Sequence, residues 1–223
     1  DEALVAQAAG FIVATNRFTV WPDTRIASEA CFSISEHIAS VDRRVARLEN
    51  IDPDAPLADK AQLVAEAEIA PSWARIREAI LRDANDPDRP VTSQIQSPSD
   101  FGFHNSLIDD AGRATFIVFE SAGRDDAAKL ICDFFCQPEI PVPLEHYPRF
   151  RDTILNSINA TETDRARCDA LLDAYRIKWL CIMMNEFLST GARRREFAED
   201  TARETRAARQ LATISKALSA LPQ

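Results

Sequence analysis

Glycine is scarce in this sequence, with five in 223 residues, against the ~16 that average usage would supply. The closest two, Gly102 and Gly112, stand ten residues apart. Neither G-x-G-x-x-G nor G-x-x-x-x-G-K-[ST] can therefore be written anywhere in the chain, which excludes Rossmann and P-loop nucleotide sites. Histidine occurs three times, at His37, His104 and His146, and the five cysteines form no C-x-x-C pair. That leaves no sequence-evident zinc site, and an odd cysteine count argues against a closed disulfide framework. Cys132 and Cys136, one helical turn apart, read as reduced core residues. Apolar runs of the ~18 residues that span a bilayer are missing, and the opening DEALVAQAAG has no basic, signal-like region. A soluble, cytoplasmic chain without membrane contact is expected. The only methionines are Met183 and Met184, so a chain starting at Asp1 reads as a processed product or an excised piece.

Hydrophobic residues at 46% and charged residues at 27% belong to an ordinary globular domain. A net charge of −9 disfavours a nucleic-acid partner. Residues 191–223 hold seven basic and four acidic side chains, so the first 190 carry −12. The run Arg193, Arg194, Arg195 reads as the solvated face of a helix rather than an anion site.

Helical periodicity dominates. Leu4, Ala8, Phe11 and Ile12 share a face and predict a helix over 2–15. Ile34, Ile38, Val41, Val45 and Leu48 predict a second over 28–48, broken by Asp52-Pro53-Asp54-Ala55-Pro56. Helices at about 57–69, 72–84, 148–158, 162–188 and 191–219 follow by the same reasoning. Residues 85–99 lose the period, and 91–96 read as a short extended stretch. Leu107-Ile108, a five-residue turn at 109–113, and 114–119 read as a β-hairpin. Asp126 is placed to N-cap a helix that runs to about Cys136. The sum is a mainly α (α+β) fold, about eight helices around one small β element.

The polar, non-helical middle, SPSDFGFHNSLIDDAGRATFIVFESAGRDD, is where chemistry is expected, since functional residues favour loops held by a rigid scaffold. Within it Asp100 precedes Asn105 by five positions. This D-x-x-x-x-N spacing serves kinases, where Asp accepts the substrate hydroxyl proton and Asn holds magnesium. With 20 Asp and 7 Asn in the chain, chance alone supplies about 0.6 such pairs. The context adds weight: loop, hairpin and helix lead-in come in the order that phosphoryl transfer by kinases uses.

SPSDFGFHNSLI followed by ATFIVFESAGRDDAAKLICDFF resembles the aminoglycoside phosphotransferase-like small-molecule kinases. The late segment YRIKWLCIMMNEFL is similar to the long C-terminal helix of one branch. The resemblance covers about residues 95–190 and implies the C-terminal lobe of a protein-kinase-like fold, with 28–84 as a helical subdomain, 95–126 as the catalytic loop and hairpin, and 127–223 as C-terminal helices. It implies ATP and Mg2+, a small-molecule hydroxyl acceptor, and an N-terminal ATP-binding lobe that these residues do not supply. Position by position, Asp100 matches the catalytic base, Asn105 a metal ligand, and Asp126 the structural aspartate before a helix.

Departures from the family pattern are specific. Pro98 and Gly102 stand where histidines are usual, and Val118 replaces the metal-binding aspartate of Asp-Phe-Glu. A hydrocarbon cannot ligate a hard cation. If 114–119 continues as a strand, alternation puts Glu120 on the side of Val118, about 6.5 Å on, as a longer substitute carboxylate. His104, beside Asn105, reads as a hydrogen-bonding loop residue. Three functional expectations follow: a phosphotransferase using Asp100, with metal on Asn105 and Glu120; a pseudokinase-like scaffold that lost its metal chemistry at Val118; or a plain helical interaction protein in which Asp100 and Asn105 merely cap loops.

Overall fold

The computed structural model describes residues 1–17, 24–189 and 200–221, with side chains left aside at 200–202. The basic run at 193–195 lies outside them. The fold is mainly helical with two small antiparallel sheets. No helix among the described residues is long and apolar enough to cross a membrane. Two compact units are present, Asp1–His37 with Asp86–Leu172, and Ile38–Asn85 with Asp173–Gln223.

In the first unit, α1 (Glu2–Thr15) is capped by the Asp1 side chain, which accepts from the Ala3 amide. It buries Val5, Ala8, Ala9 and Ile12, at the i, i+3, i+4, i+7 spacing of one helical face. The buried stripe is centred on Val5 rather than on the predicted Leu4. α1 packs against α6 (Tyr147–Ser157), whose Tyr147, Phe150, Ile154 and Leu155 are buried. α5 (Ala127–Cys136) is buried along residues 127–135, and Asp126 caps it by accepting from the Ala128 amide at 3.0 Å.

Strand β1 (Gln94–Ser97) pairs antiparallel with β4 (Gly123–Asp126), Gln94 opposite Asp126 and Ser97 opposite Gly123. Between them in sequence lies the hairpin of β2 (Ser106–Ile108) and β3 (Ala114–Phe116), closed by the five-residue loop at 109–113 as expected. Residues 25–28 add to the other edge of β4: Ile26 makes a parallel bridge to Arg124, and Arg124 N donates to Arg25 O at 2.8 Å. β4 was expected only as a lead-in to α5. Its sequence, Gly-Arg-Asp-Asp, has no β-branched residue, and its strand form depends on partners about 30 and 100 residues away in the chain.

Helix α2 (Ile34–Arg47) begins six residues later than 28–48 predicted, because Glu29 has a left-handed backbone and residues 28–33 run irregularly. In the second unit, α3 (Ala58–Val64), one π turn and α4 (Ala70–Asp83) follow without a break, so the expected gap near residue 71 is absent. Pro71 follows the π turn directly, where the wider i→i−5 bonding already interrupts the i→i−4 ladder that a proline would break. Trp73 donates to Asp42 at 2.7 Å, anchoring α4 on α2 within this unit. α7 (Glu162–Met184) and α8 (Asp200–Leu218) complete the α-helices among the described residues. α7 starts on a reciprocal cap: the Thr161 amide donates to Asp164 Oδ2 at 2.7 Å, and the Asp164 amide to Thr161 Oγ1 at 3.4 Å.

Candidate functional site

Residues 98–105 form a loop between β1 and the hairpin, anchored from below by aromatic rings. Phe101 and Phe103 are buried. Phe101 lies 4.7 Å from Phe116 and 5.5 Å from Phe134 between ring centroids, and Phe103 lies 5.5 Å from Phe134. Phe134 stacks on Phe150 at 4.4 Å. Burying two rings of the sequence Asp-Phe-Gly-Phe-His-Asn fixes the loop to α5 and α6. Asp100, between buried Ser97 and these rings, is left 56% exposed at its side chain.

Asp100, His104 and Asn105 come together. Asp100 Oδ1 lies 3.1 Å from His104 Nε2, and Asn105 Nδ2 donates to the Asp100 carbonyl at 2.9 Å. Asn105 Nδ2 also lies 3.2 Å from His104 Nε2. A carboxylate can only accept, so the Asp100 bond needs the proton on His104 Nε2, which leaves the Asn105 Nδ2 approach a contact between two donors rather than a hydrogen bond. Among the described residues Oδ2 of Asp100 has no hydrogen-bond partner, and His104 Nδ1 is buried without one. Gly102 makes this packing possible: a Cβ there would lie 2.6 Å from His104 Nδ1. The missing Cβ at Gly102 thus leaves the space that the His104 ring occupies. The hydrogen-bonding role expected for His104 is what the geometry gives it.

The segment after β3 differs from the expected continuous strand. β3 ends at Phe116, Val118 has φ 68°, and Ile117, Val118 and Phe119 are exposed. The alternation that would set Glu120 on the side of Val118 therefore does not apply. A β-branched residue at positive φ is a strained conformation, costing about 1–3 kcal/mol. What holds it is visible: Ile117 N donates to Asn105 O at 2.9 Å, Arg25 Nε donates to Ala122 O at 2.6 Å, and Arg25 Nη2 donates to Glu120 O. Glu120 itself is exposed. Among the described residues no group of three or more His, Cys, Asp or Glu side chains is placed to hold a metal ion. The donor types nevertheless suit magnesium, which takes carboxylate and amide oxygens. With its nitrogen engaged, Asn105 has Oδ1 left to offer, and Glu120 has both carboxylate oxygens.

At the other end of the β1–β4 ladder, where Asp126 lies opposite Gln94, is a buried ion network that sequence reasoning did not find. Asp126 accepts from Arg167 through both oxygens, at 2.9 Å each, and its Oδ2 lies 3.1 Å from His37 Nε2. His37 and Asp126 are both completely buried. Arg167 reaches on to Asp164 at 2.8 Å, which also accepts from Ser93 at 2.9 Å. On the next residue, Asp125 pairs with Lys129 at 2.8 Å and accepts from the Cys31 amide at 3.2 Å.

Burial, the largest single effect, would lower the His37 pKa, but Asp126 and Cys31 together outweigh it and the group is pushed up to about 9. Burial likewise works to raise Asp126, yet His37 and Arg167 hold it below the usual carboxylate range. Burial would neutralise Lys129, but the Asp125 and Asp133 carboxylates keep its pKa above the ordinary value. The one legible sequence signal was Asp125-Asp126 at the head of an apolar helix, since buried carboxylates demand cations. The cations themselves, His37 and Arg167, lie 89 and 41 residues from Asp126. Neither the family models nor the curated proteins contain a match to this chain.

Proposed function

We propose that this chain carries the acceptor-side and metal-side residues of an ATP- and magnesium-dependent phosphotransferase acting on a small-molecule hydroxyl, as the C-terminal lobe of a protein-kinase-like fold. The observation that carries the reading is the state of Asp100. One carboxylate oxygen is tied to His104 and the other is open, on a loop pinned by two buried phenylalanines. A general base needs such a fixed, accessible oxygen. The order of the elements supports the same reading: the 98–105 loop, the β2–β3 hairpin, then the Asp126-capped α5.

In this reading Asp100 Oδ2 accepts the acceptor's hydroxyl proton as that oxygen bonds to the γ-phosphorus and the ADP oxygen departs. His104 fixes the carboxylate, and Asn105 ties the loop to itself through the Asp100 carbonyl. Asn105 Oδ1 and Glu120 would hold magnesium, which when bound neutralises charge on the phosphate oxygens. In this reading the nucleotide would be gripped by an N-terminal lobe of the kinase-like fold. The test is ADP release by the full-length natural protein with Mg-ATP and a panel of hydroxyl-bearing small molecules. Release that needs both magnesium and one acceptor class supports the proposal; no such release contradicts it.

One observation favours a second reading, a pseudokinase-like binding module: Val118 presents a 40% exposed hydrocarbon where the family uses a carboxylate. Val118→Asp separates the two. Aspartate tolerates positive φ better than a β-branched residue, so the change should not destabilise the fold. In a decayed kinase it should raise Mg-ATP affinity or turnover, whereas Glu120→Gln should change little. In a working enzyme that relies on Glu120, Glu120→Gln should lower turnover and Val118→Asp should add little. Turnover and Mg-ATP titration on the three proteins decide between them.

A further inference from the structure

Residues 25–28 touch both halves of the proposed site, and neither the family resemblance nor the residue spacing assigns them a part in it. On one side Arg25 holds the loop after β3. Its Nε donates to Ala122 O at 2.6 Å, and Nη2 donates to Glu120 O and reaches Phe119 O at 3.5 Å. Ser28 N donates to Ser121 O at 3.0 Å, and Ala27 N to Arg124 O at 3.0 Å. On the other side Ser99, the residue before Asp100, donates its hydroxyl to Ser28 O at 2.9 Å while holding a left-handed φ of 72°.

The fit between segment and strand is close. A Cβ on Gly123 would lie 2.5 Å from Ala27 N and would also strike Arg25 O. Backbone meets backbone there, so nothing flexible can yield, and only glycine allows this approach. Arg124 adds a clasp, donating to Thr24 O at 3.3 Å and to Gln94 Oε1 at 3.1 Å. Of the two strained residues of the site, Ser99 is thus held by this segment directly and Val118 through Phe119 and Glu120, one and two residues on.

We infer that Arg25 is a positioning residue, and that residues 25–28 act as a brace setting the loop of Glu120 against the loop of Asp100. A guanidinium suits the task because its donors are fixed in one planar fork, whereas a lysine ammonium carries rotatable donors on a flexible stem. The inference rests on the phosphotransfer reading for its catalytic consequence, but not for its mechanical one.

The experiment has two arms on the full-length protein, comparing wild type with Arg25→Ala, Arg25→Lys and Ser99→Ala. In the first arm, amide hydrogen exchange is measured without magnesium or nucleotide. Arg25→Ala should speed exchange at 117–122 by about tenfold or more and also at 99–105, with Arg25→Lys between it and wild type. Unchanged exchange at 117–122 in Arg25→Ala overturns the brace, whatever the activity. In the second arm, the magnesium concentration for half-maximal turnover should rise about tenfold in Arg25→Ala, the scale of losing a group that orients a ligand. A lower kcat at an unchanged magnesium requirement overturns the positioning role. A wild type with no magnesium-dependent turnover contradicts the phosphotransfer reading, while the exchange arm still decides the brace.

Discussion

Asp126→Ala should destabilise the fold by about 3–5 kcal/mol, the scale for breaking a buried ion pair and stranding its partner. The substitution removes four bonds at once: two to Arg167, one to His37 and the cap on α5. His37 can shed its proton to escape, but arginine stays charged. Asp126→Asn keeps an oxygen for the Ala128 amide, so the difference between the two variants separates the cap from the charge. Urea unfolding of wild type and both variants checks this. A loss under 1 kcal/mol for Asp126→Ala would show the network to be a spectator.

The same network sets a pH dependence. The folded pKa of His37, about 9, lies above the ordinary 6.5. Its stabilisation is therefore complete below pH 6.5 and is lost as pH rises toward 9, in all on the order of 3 kcal/mol. Asp126 has the opposite sign: held below 3.8, it stabilises above that value and the contribution disappears as pH falls through its folded pKa. Buried thiols at Cys132 and Cys168 are also raised, by desolvation first, and weaken the fold only when unfolded thiols ionise, above about pH 8.5. Unfolding measured between pH 6.5 and 8 thus isolates His37. A falling slope there, absent in His37→Gln, is expected.

Local patterns were legible where local physics decides. The bounds of α1 came out at Glu2–Thr15 as periodicity predicted, the turn at 109–113 closes its hairpin, and Asp126 caps α5. Asp100 and Asn105 were legible as a pair because both sit in one short loop. Features created by distant partners were not. β4 exists because Gln94 and Ile26 lie on its two edges, and β3 stops early because the following loop turns at Val118 and is gripped by Arg25. His104 approached Asp100 only because Gly102 leaves room, a steric fact that no spacing rule contains. Glu120 was placed by strand alternation, and the strand ends at Phe116, three residues short of the predicted Phe119.

The central claim is that the open oxygen of Asp100 takes a proton from an acceptor hydroxyl. Asp100→Asn tests it most directly, because the amide still meets His104 and keeps the loop's shape while losing the base. Turnover of the full-length protein should fall by ~10²–10⁴, the usual worth of a positioned general base. The Asp100 side chain is exposed and outside the buried network, so the unfolding midpoint should stay where it is. Steady-state ADP release by wild type and Asp100→Asn, with saturating Mg-ATP and acceptor, reads the outcome. The account predicts a loss of at least a hundredfold at unchanged stability; turnover equal to wild type would remove Asp100 from the reaction and contradict it.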